Sequence, residues 1–332
     1  LVGSEMCIRD RLGKIYNNAQ LMGKIDLPTH ISTSFRFIAS ISTFDYYKKD
    51  KLFSRNDKPS FNSKDERFVK LMVALPFLAN KRAEFSLGYG QLEDNYFQSS
   101  VIDFDKDRSD RSTYKLLGGS IGFYGSTLNT RQYATKGYLE KLIAQVFTGR
   151  ERFEPGNPQE GYSPSPQERQ SWLQISYMKE AYHTMGPKFT LGWMAEALYS
   201  SKNFSENYTA TMMQAGEFAP TPHSKLMYNE AFRANQYVAA GIKPIYVLND
   251  MFQFRTEFYG FTPIFPIKKN ALNKAYYGKA FSRFEYMGEV SVICHLPFGA
   301  ISAYVNHYSS PRREWNVGMT IGWQLFNYRF VE

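Results

Sequence analysis

The stretch from Tyr114 to Gly149 reads YKLLGGSIGFYGSTLNTRQYATKGYLEKLIAQVFTG, and its pattern decides the fold class. On either side of a polar turn at 129–137, apolar side chains share one face while small or polar ones share the other. The apolar positions are Leu117, Ile121, Phe123, Leu142, Ala144 and Val146. A period of two residues is typical of a β-strand whose faces meet different surroundings. The stretch therefore predicts two antiparallel strands joined as a hairpin.

The turn of this hairpin has a specific spacing, T-L-N followed by aromatic-x-T-x-G. Its residues are Thr127, Leu128, Asn129, Tyr133, Thr135 and Gly137. The pattern resembles the hairpin motif of the outer-membrane surface-antigen superfamily, which includes BamA- and TamA-like barrels. That family usually has proline where this chain has Ala134. The resemblance implies an all-β fold, an antiparallel transmembrane β-barrel located in the cell outer membrane.

Composition agrees with a barrel. The chain has 332 residues, of which 43% are hydrophobic and 17% aromatic. Its mean hydropathy is nevertheless −0.43, so the sequence is polar on average. Many aromatic residues in a polar sequence suit alternating strands with aromatic girdles better than an apolar helical core. No apolar run is long enough for a spanning helix, which excludes a helical membrane protein.

Charge and cysteine content suggest neither a nucleic-acid partner nor a metal or cofactor. The net charge is +9, but the basic residues are scattered and belong to no recognisable nucleic-acid-binding module. The two cysteines, Cys7 and Cys294, have no CxxC or Cys/His neighbours. No disulfide framework or zinc site is therefore predicted. We expect no cofactor and no metal.

The first eleven residues, LVGSEMCIRDR, resemble translated sequencing-adapter read-through. Residues 1–11 are therefore set apart as a probable artefact. Residues 12–332 are predicted to form one outer-membrane β-barrel domain, a fragment of a longer protein.

Two later segments have the clearest one-sided apolar faces, Met251 to Thr262 and Trp315 to Phe326. One face of each can meet lipid while the other meets a wet lumen. The predicted lipid-facing residues are Phe252, Phe254, Phe258, Val317, Met319, Ile321, Trp323 and Leu325. The aromatic end of the chain also resembles the terminal strand that the outer-membrane insertion machinery reads. Repeated hairpins of this kind predict roughly 12–16 strands.

One motif suggests catalysis. Residues 118–122, Gly-Gly-Ser-Ile-Gly, match the G-x-S-x-G pattern of a nucleophile elbow. Such an elbow needs a strand-to-helix turn and a base beside the serine. Ser120 is instead followed by residues that continue the strand, so the glycines are interpreted as small lumen-facing positions. No catalytic residue is predicted in this chain.

The family resemblance also extends to an inner loop. The superfamily carries an Arg-Gly-aromatic loop that folds back into the barrel, with its arginine held by a carboxylate on a lumen strand. Arg233 matches that arginine, and Ala234 stands in place of the glycine. Glu257, which faces the lumen by alternation, is the partner that the resemblance implies.

The chain further resembles the barrel region of outer-membrane patatin-like phospholipases. The matching stretches are Leu-Pro-Phe at 75–77, Asp-Asn-Tyr-Phe at 94–97, Thr-Lys-Gly at 135–137 and Trp-Asn-Val-Gly at 315–318. In that family a hydrolase domain with a Ser/Asp dyad precedes the barrel. This chain contains no Asp-Gly dipeptide, where the dyad aspartate would lie. The resemblance implies that any chemistry of the parent protein lies outside this chain.

The leading interpretation is a membrane-embedded barrel that serves as translocator or anchor of a larger protein. The resemblance implies that this larger protein is a patatin-like phospholipase. The alternatives are a BamA/TamA-type assembly or transport barrel, an outer-membrane lipid hydrolase with a Ser/His pair in the barrel, and a soluble β-sandwich binding module. Expected partners are outer-membrane lipids, the barrel-insertion machinery during biogenesis and, as an option, a second copy of the chain.

Overall fold

A computed structural model describes residues 3–11, 16–27, 32–46, 62–98, 107–157, 169–297, 299–310, 315–322 and 329–331. Within these ranges the protein is almost entirely β-structure. In chain order the strands are β1 (Gly3–Arg11), β2 (Tyr16–Leu27), β3 (Thr33–Tyr46), β4 (Asn62–Leu78), β5 (Lys81–Tyr96), β6 (Asp110–Ser126), β7 (Gly137–Glu154), β8 (Arg169–Thr184), β9 (Phe189–Ser200), β10 (Gly216–Glu217), β11 (Arg233–Ala234), β12 (Gln236–Val247), β13 (Phe252–Pro263), β14 (Ile267–Lys269), β15 (Ala275–Tyr277), β16 (Glu285–Leu296), β17 (Gly299–Tyr308) and β18 (Trp315–Ile321). One α-helix, α1 (Tyr208–Gln214), and two 3₁₀ turns (Ser224–Leu226 and Glu230–Phe232) lie between β9 and β12.

Fourteen of the described strands form one antiparallel sheet, in which each strand pairs with the strand of the sheet that follows it in sequence. Two of these steps skip the short strands of a loop, from β9 to β12 and from β13 to β16. The pairs β10–β11 and β14–β15 lie in loops outside this sheet. At one end the sheet strands are joined by short turns, such as 79–80, 185–188 and 248–251. We call this the short-turn end. At the opposite, long-loop end the connections include 201–235 and 264–284.

The sheet curls so that strands far apart in its order share one interior. The Tyr133 hydroxyl, in the connection between β6 and β7, donates a hydrogen bond of 3.0 Å to Ser302 Oγ on β17. Within β4, β13 and β16, buried residues alternate with more exposed ones. The exposed positions are rich in large apolar residues, which is the reverse of a water-soluble sheet.

The predicted lipid face coincides with this exposed surface as far as the structure describes it. The side chains of Phe252, Phe254, Phe258, Val317, Met319 and Ile321 are all exposed. Trp323 and Leu325 lie outside the described residues. Within the described residues, no helix has the length and apolar character needed to cross a membrane.

The segment set apart at the N-terminus takes part in the sheet. Gly3–Arg11 forms β1, which runs antiparallel to β2 from the pair Gly3 and Asp26 to the pair Arg11 and Asn18. Its origin as adapter read-through remains a prediction.

Candidate functional site

The interior is occupied by the connection between β9 and β12, residues 201–235, which we call the luminal loop. Its short helix α1 begins after Asn207, whose side chain accepts a hydrogen bond from the backbone N–H of Ala210. Two of its aromatic residues, Phe218 and Phe232, are buried against the inner wall. The wall contributes Met194, Tyr237, Tyr259, Phe261, Met287 and Tyr308. The loop therefore covers an apolar part of the lumen that would otherwise meet water.

Arg233 connects separate parts of the luminal loop with one another. Its Nη2 lies 2.9 Å from Glu217 Oε1, across the β10–β11 pair. Its Nη1 donates to the carbonyl oxygen of Met213, at 3.2 Å, at the end of α1. The guanidinium also lies 4.7 Å from the ring centre of Tyr228. Because the arginine is buried, these contacts compensate for the loss of hydration.

The implied pairing of Arg233 with Glu257 is corrected by the structure, since each has another partner. Glu257 pairs with Arg255 of the same strand, with Arg255 Nη2 2.8 Å from Glu257 Oε1. It also accepts a hydrogen bond of 2.7 Å from the Tyr259 hydroxyl. Residues two apart on a strand point to the same face, so Arg255 reaches the carboxylate without any loop.

The hairpin motif forms a compact turn at the short-turn end. Asn129 Oδ1 accepts hydrogen bonds from the backbone N–H groups of Thr135 (3.0 Å) and Lys136 (3.1 Å). Thr127 Oγ1 accepts from the N–H of Tyr138 at 3.1 Å. Gly137 has φ +88°, and a Cβ there would overlap the carbonyl oxygen of Thr127. The T-L-N and T-x-G residues are therefore needed by the backbone of the turn.

This turn folds into the lumen and crosses it. Arg255 Nη1 on β13 donates a hydrogen bond of 2.9 Å to the carbonyl oxygen of Ala134. Gln253 Nε2 donates to the carbonyl oxygen of Tyr133 at 3.1 Å. The Tyr133 hydroxyl reaches Ser302, and burial raises the pKa of that hydroxyl. The turn therefore covers the interior from the short-turn end.

The luminal loop reaches the same serine from the other end. His223 Nε2 lies 3.3 Å from Ser302 Oγ, and His223 Nδ1 lies 2.9 Å from Glu289 Oε1 on β16. Thr221 Oγ1 donates to the second oxygen of Glu289 at 3.0 Å. The imidazole stacks on Tyr304, with ring centres 3.5 Å apart. Segments from both ends of the barrel thus meet at Ser302.

Ser302, His223 and Glu289 lie in the order of a serine hydrolase triad. All three are almost completely buried, and the Ser302 hydroxyl also contacts the hydroxyl groups of Tyr133 and Thr320. A nucleophilic serine needs space for the substrate beside it. The contacts present are instead those of a polar cluster that joins a loop, a turn and three strands.

Ser120 lies in the middle of β6, as the sequence predicts, and not on a strand-to-helix turn. Its hydroxyl lies 2.6 Å from that of Ser86 on β5. This contact pairs two serines across the sheet and supplies no base.

The end of the chain occupies a second part of the interior. Phe330 is 1% exposed and packs against Phe68 and Phe147, with ring centres 5.9 and 5.7 Å away. Lys70 Nζ donates to the carbonyl oxygen of Arg329 at 3.1 Å, and Glu66 accepts from the backbone N–H of Phe330. Three glycines make room for the ring, and they are Gly88, Gly90 and Gly118. Phe330 thus lies in the lumen and on no strand of the structure.

Lys202, at the start of the luminal loop, is a buried cation. Its Nζ lies 4.5 Å from the ring centre of Tyr114 and 4.9 Å from that of Trp172. It also donates to Gln214 at 3.2 Å. Burial lowers the pKa of Lys202 to about 8, because desolvation outweighs the attraction of nearby carboxylates.

No protein-family model matches the chain, and no curated protein matches it in sequence. Among solved structures, BamA from Haemophilus ducreyi lacking POTRA domains 1–3 has a TM-score of 0.59 and 13% identity, covering 95% of this chain and 63% of that one. The chain thus spans less than two thirds of that BamA structure.

Two further solved structures are similar over most of this chain. CdiB from Acinetobacter baumannii has a TM-score of 0.44 and 8% identity, covering 96% of this chain and 65% of that one. BauA, the ferric preacinetobactin receptor of Acinetobacter baumannii, has a TM-score of 0.46 and 10% identity, covering 92% of this chain and 50% of that one.

At these identities the likeness to BamA establishes the fold. The predicted all-β antiparallel barrel fold is confirmed, and the fourteen strands of the sheet in the described part lie within the predicted 12–16. This is the fold of outer-membrane β-barrels, and the outer membrane is the location that the sequence predicted.

Proposed function

We propose that the chain is the membrane-embedded barrel of a larger outer-membrane protein, in which it serves as translocator or anchor. The observation that carries this proposal is the height of its outward apolar band. On β4 the outward residues from Val69 to Phe77 are all apolar. Nine residues at about 3.3 Å each, tilted by about 40°, span roughly 23 Å, close to the ~25 Å apolar band of such barrels.

The filled interior favours a gated or anchoring role over an open pore. The luminal loop, the hairpin turn and Phe330 all occupy the lumen. Passage of any large solute would require at least one of them to move.

For the parent protein we propose a patatin-like phospholipase, with the catalytic domain elsewhere in its sequence. The support is the set of short sequence matches around residues 75–77, 94–97, 135–137 and 315–318. An assembly or transport barrel of the BamA/TamA type is equally consistent with the fold. Recovery of the full reading frame decides between them, because a Ser/Asp dyad domain would identify the first and a run of POTRA domains alone the second.

A second candidate function, an outer-membrane lipid hydrolase, is favoured by one observation only, the order of Ser302, His223 and Glu289. A fluorophosphonate probe tests it in the refolded chain. We expect no labelling at Ser302, because the hydroxyl is buried and shared with two other hydroxyl groups. Labelling that disappears in Ser302→Ala but persists in Ser120→Ala would establish the hydrolase.

The barrel itself is tested by refolding the chain in detergent and running it on SDS gels with and without boiling. We expect the unboiled protein to migrate faster, and the expressed protein to fractionate with outer membranes. Recovery as a soluble monomer in the absence of detergent would contradict the proposal.

A further inference from the structure

A row of basic residues crosses five neighbouring strands on the outer surface. Residues in register across the sheet follow one another from β4 to β8. The row consists of Arg67, Gln91, Lys115, Arg150 and Arg169. Four of the five are cationic, and these four are exposed. We call these four cations the basic row.

The basic row lies at the upper edge of the apolar band. Two residues nearer the short-turn end, the outward positions on β4, β5 and β6 are Val69, Tyr89 and Leu117. All three are exposed and apolar or aromatic. The row is on the side of the long-loop end, which in bacterial outer-membrane barrels faces outward from the cell. Its cations therefore stand at the depth of lipid headgroups.

The described part of the protein places no carboxylate beside most of the basic row. Among the described residues, Arg67, Lys115 and Arg150 have no carboxylate oxygen within 4.0 Å of their side-chain nitrogens. Arg169 donates to Thr148 Oγ1 at 3.2 Å, which is a neutral partner.

On the same strands, four cations farther out and at the opposite edge are paired. Beyond the row, Arg111 lies 3.3 Å from Glu93, and Arg152 lies 2.8 Å from Glu154. At the lower edge of the band, Lys81 and Lys179 each lie 3.7 Å from a carboxylate oxygen of the same residue, Glu140. Arg67, Lys115 and Arg150 therefore differ from these four cations, each of which has a carboxylate oxygen within 4.0 Å.

We propose that the basic row binds the phosphate groups of anionic lipids in the leaflet at the long-loop end. Adjacent strands are about 4.8 Å apart, so the four cations span roughly 19 Å, the width of a few lipid headgroups. Guanidinium groups form bidentate bonds with phosphate, and three of the four cations are arginines. The site rests on the proposed embedding of the barrel in a membrane, and it adds a lipid class and a side of the barrel to that function.

Two double variants test the site, each removing two positive charges at one edge of the band. Lys115→Gln with Arg150→Gln removes half of the basic row. Lys81→Gln with Lys179→Gln is the matched control at the opposite edge. The refolded chains are titrated in neutral detergent with diphosphoryl lipid A and with phosphatidylcholine, and bound lipid is measured by native mass spectrometry.

We expect the unaltered chain to prefer diphosphoryl lipid A, and the K115Q/R150Q variant to bind it about thirtyfold more weakly. Each basic residue near an anionic surface contributes on the order of 1 kcal/mol, and 1.4 kcal/mol is a factor of ten. The control should change that affinity less than threefold or so, on the same scale.

If both double variants lose affinity for diphosphoryl lipid A equally, net charge alone attracts the lipid. If neither variant loses affinity, the basic row does not bind the lipid. Either result overturns the proposal. The gel shift of unboiled protein separates this from the proposed function. A chain that shows the shift but has no preference for the phosphorylated lipid refutes the lipid site alone, whereas a chain that shows no shift refutes the membrane barrel together with it.

Discussion

His223 Nδ1 lies 2.9 Å from Glu289 Oε1, joining the luminal loop to strand β16 across 66 residues of sequence. We predict that His223→Leu releases this loop, because a hydrogen bond to a charged group contributes about 1.5–3 kcal/mol. Among the described residues, Thr221 is then the one side-chain donor left to Glu289. Limited proteolysis should then cut within 201–235, and single-channel conductance in planar bilayers should rise.

His307→Leu is the matched control, since that histidine lies on the outward face of β17 beside Tyr286 and Trp315. It should leave both the cleavage and the conductance unchanged. Equal protease resistance of the His223 variant and the unaltered protein would show that apolar packing alone retains the loop.

Arg233 and Arg283 each pair with a glutamate, but only Arg233 is fully buried. We predict that Arg233→Ala lowers the free energy of unfolding by about 3–5 kcal/mol, because Glu217 and the carbonyl groups at the end of α1 lose their cation. Arg283→Ala should cost about 0–1 kcal/mol, since that pair is partly in solvent. Urea titrations followed by tryptophan fluorescence measure both, and similar losses would contradict the distinction.

The depth of an outward residue should set the cost of placing a charge there. Val290 lies in the middle of β16, so Val290→Arg should cost about 2–4 kcal/mol in a bilayer. Ile321 is paired with Ile301, close to the start of β17 at the short-turn end, and Ile321→Arg should cost only about 0–1 kcal/mol. Folding titrations in lipid vesicles compare the two. If Ile321→Arg costs more than Val290→Arg, the centre of the bilayer does not lie at the middle of the apolar band.

Phe330 should stabilise the barrel from inside. Phe330→Ala removes a buried ring between Phe68 and Phe147 and is expected to cost about 3–5 kcal/mol. Phe258→Ala, on the outward face, leaves no internal cavity and should cost less. The temperature at which the fast-migrating gel band disappears measures the difference. If the outward substitution lowers that temperature as much, Phe330 contributes nothing through packing.

Lys202 should give the protein a specific dependence on pH. Its pKa is about 8 when folded against an ordinary value of 10.5, so the unfolded chain binds more protons between these values. Stability relative to Lys202→Met should therefore rise as the pH increases from about 8 to 10. Lys188→Met, at an exposed turn position, is the control that removes one lysine charge outside the lumen. If the stability difference between the unaltered protein and Lys202→Met does not change with pH, burial does not lower the pKa of Lys202.

Local patterns in the sequence predicted the parts of the fold that depend on neighbouring residues. The alternation in Phe252–Pro263 placed Phe252, Phe254 and Phe258 outward. The turn spacing from Thr127 to Gly137 corresponds to specific hydrogen bonds and to the positive φ of Gly137. These features need only the period of a strand and the geometry of a turn, both of which operate over a few residues.

The contents of the lumen could not be predicted in the same way. His223, Glu289 and Ser302 are 66 and 79 residues apart in the two contacts that join them, and no spacing rule connects them. The contact of His223 with Ser302 joins a loop residue to a strand residue, and no alternation pattern signals such a contact. Arg255 shows the opposite case, because its position two residues before Glu257 on one strand was a local signal for the pair that forms.

Ser302 receives Tyr133 from one end of the barrel and His223 from the other. Displacing either segment therefore alters the energy with which the other is held, and thermodynamic reciprocity requires the two effects to be equal. A ligand that pulls the turn away from Ser302 would thereby change the strength with which the luminal loop is held there. One hydroxyl group thus makes the positions of the turn and the loop interdependent.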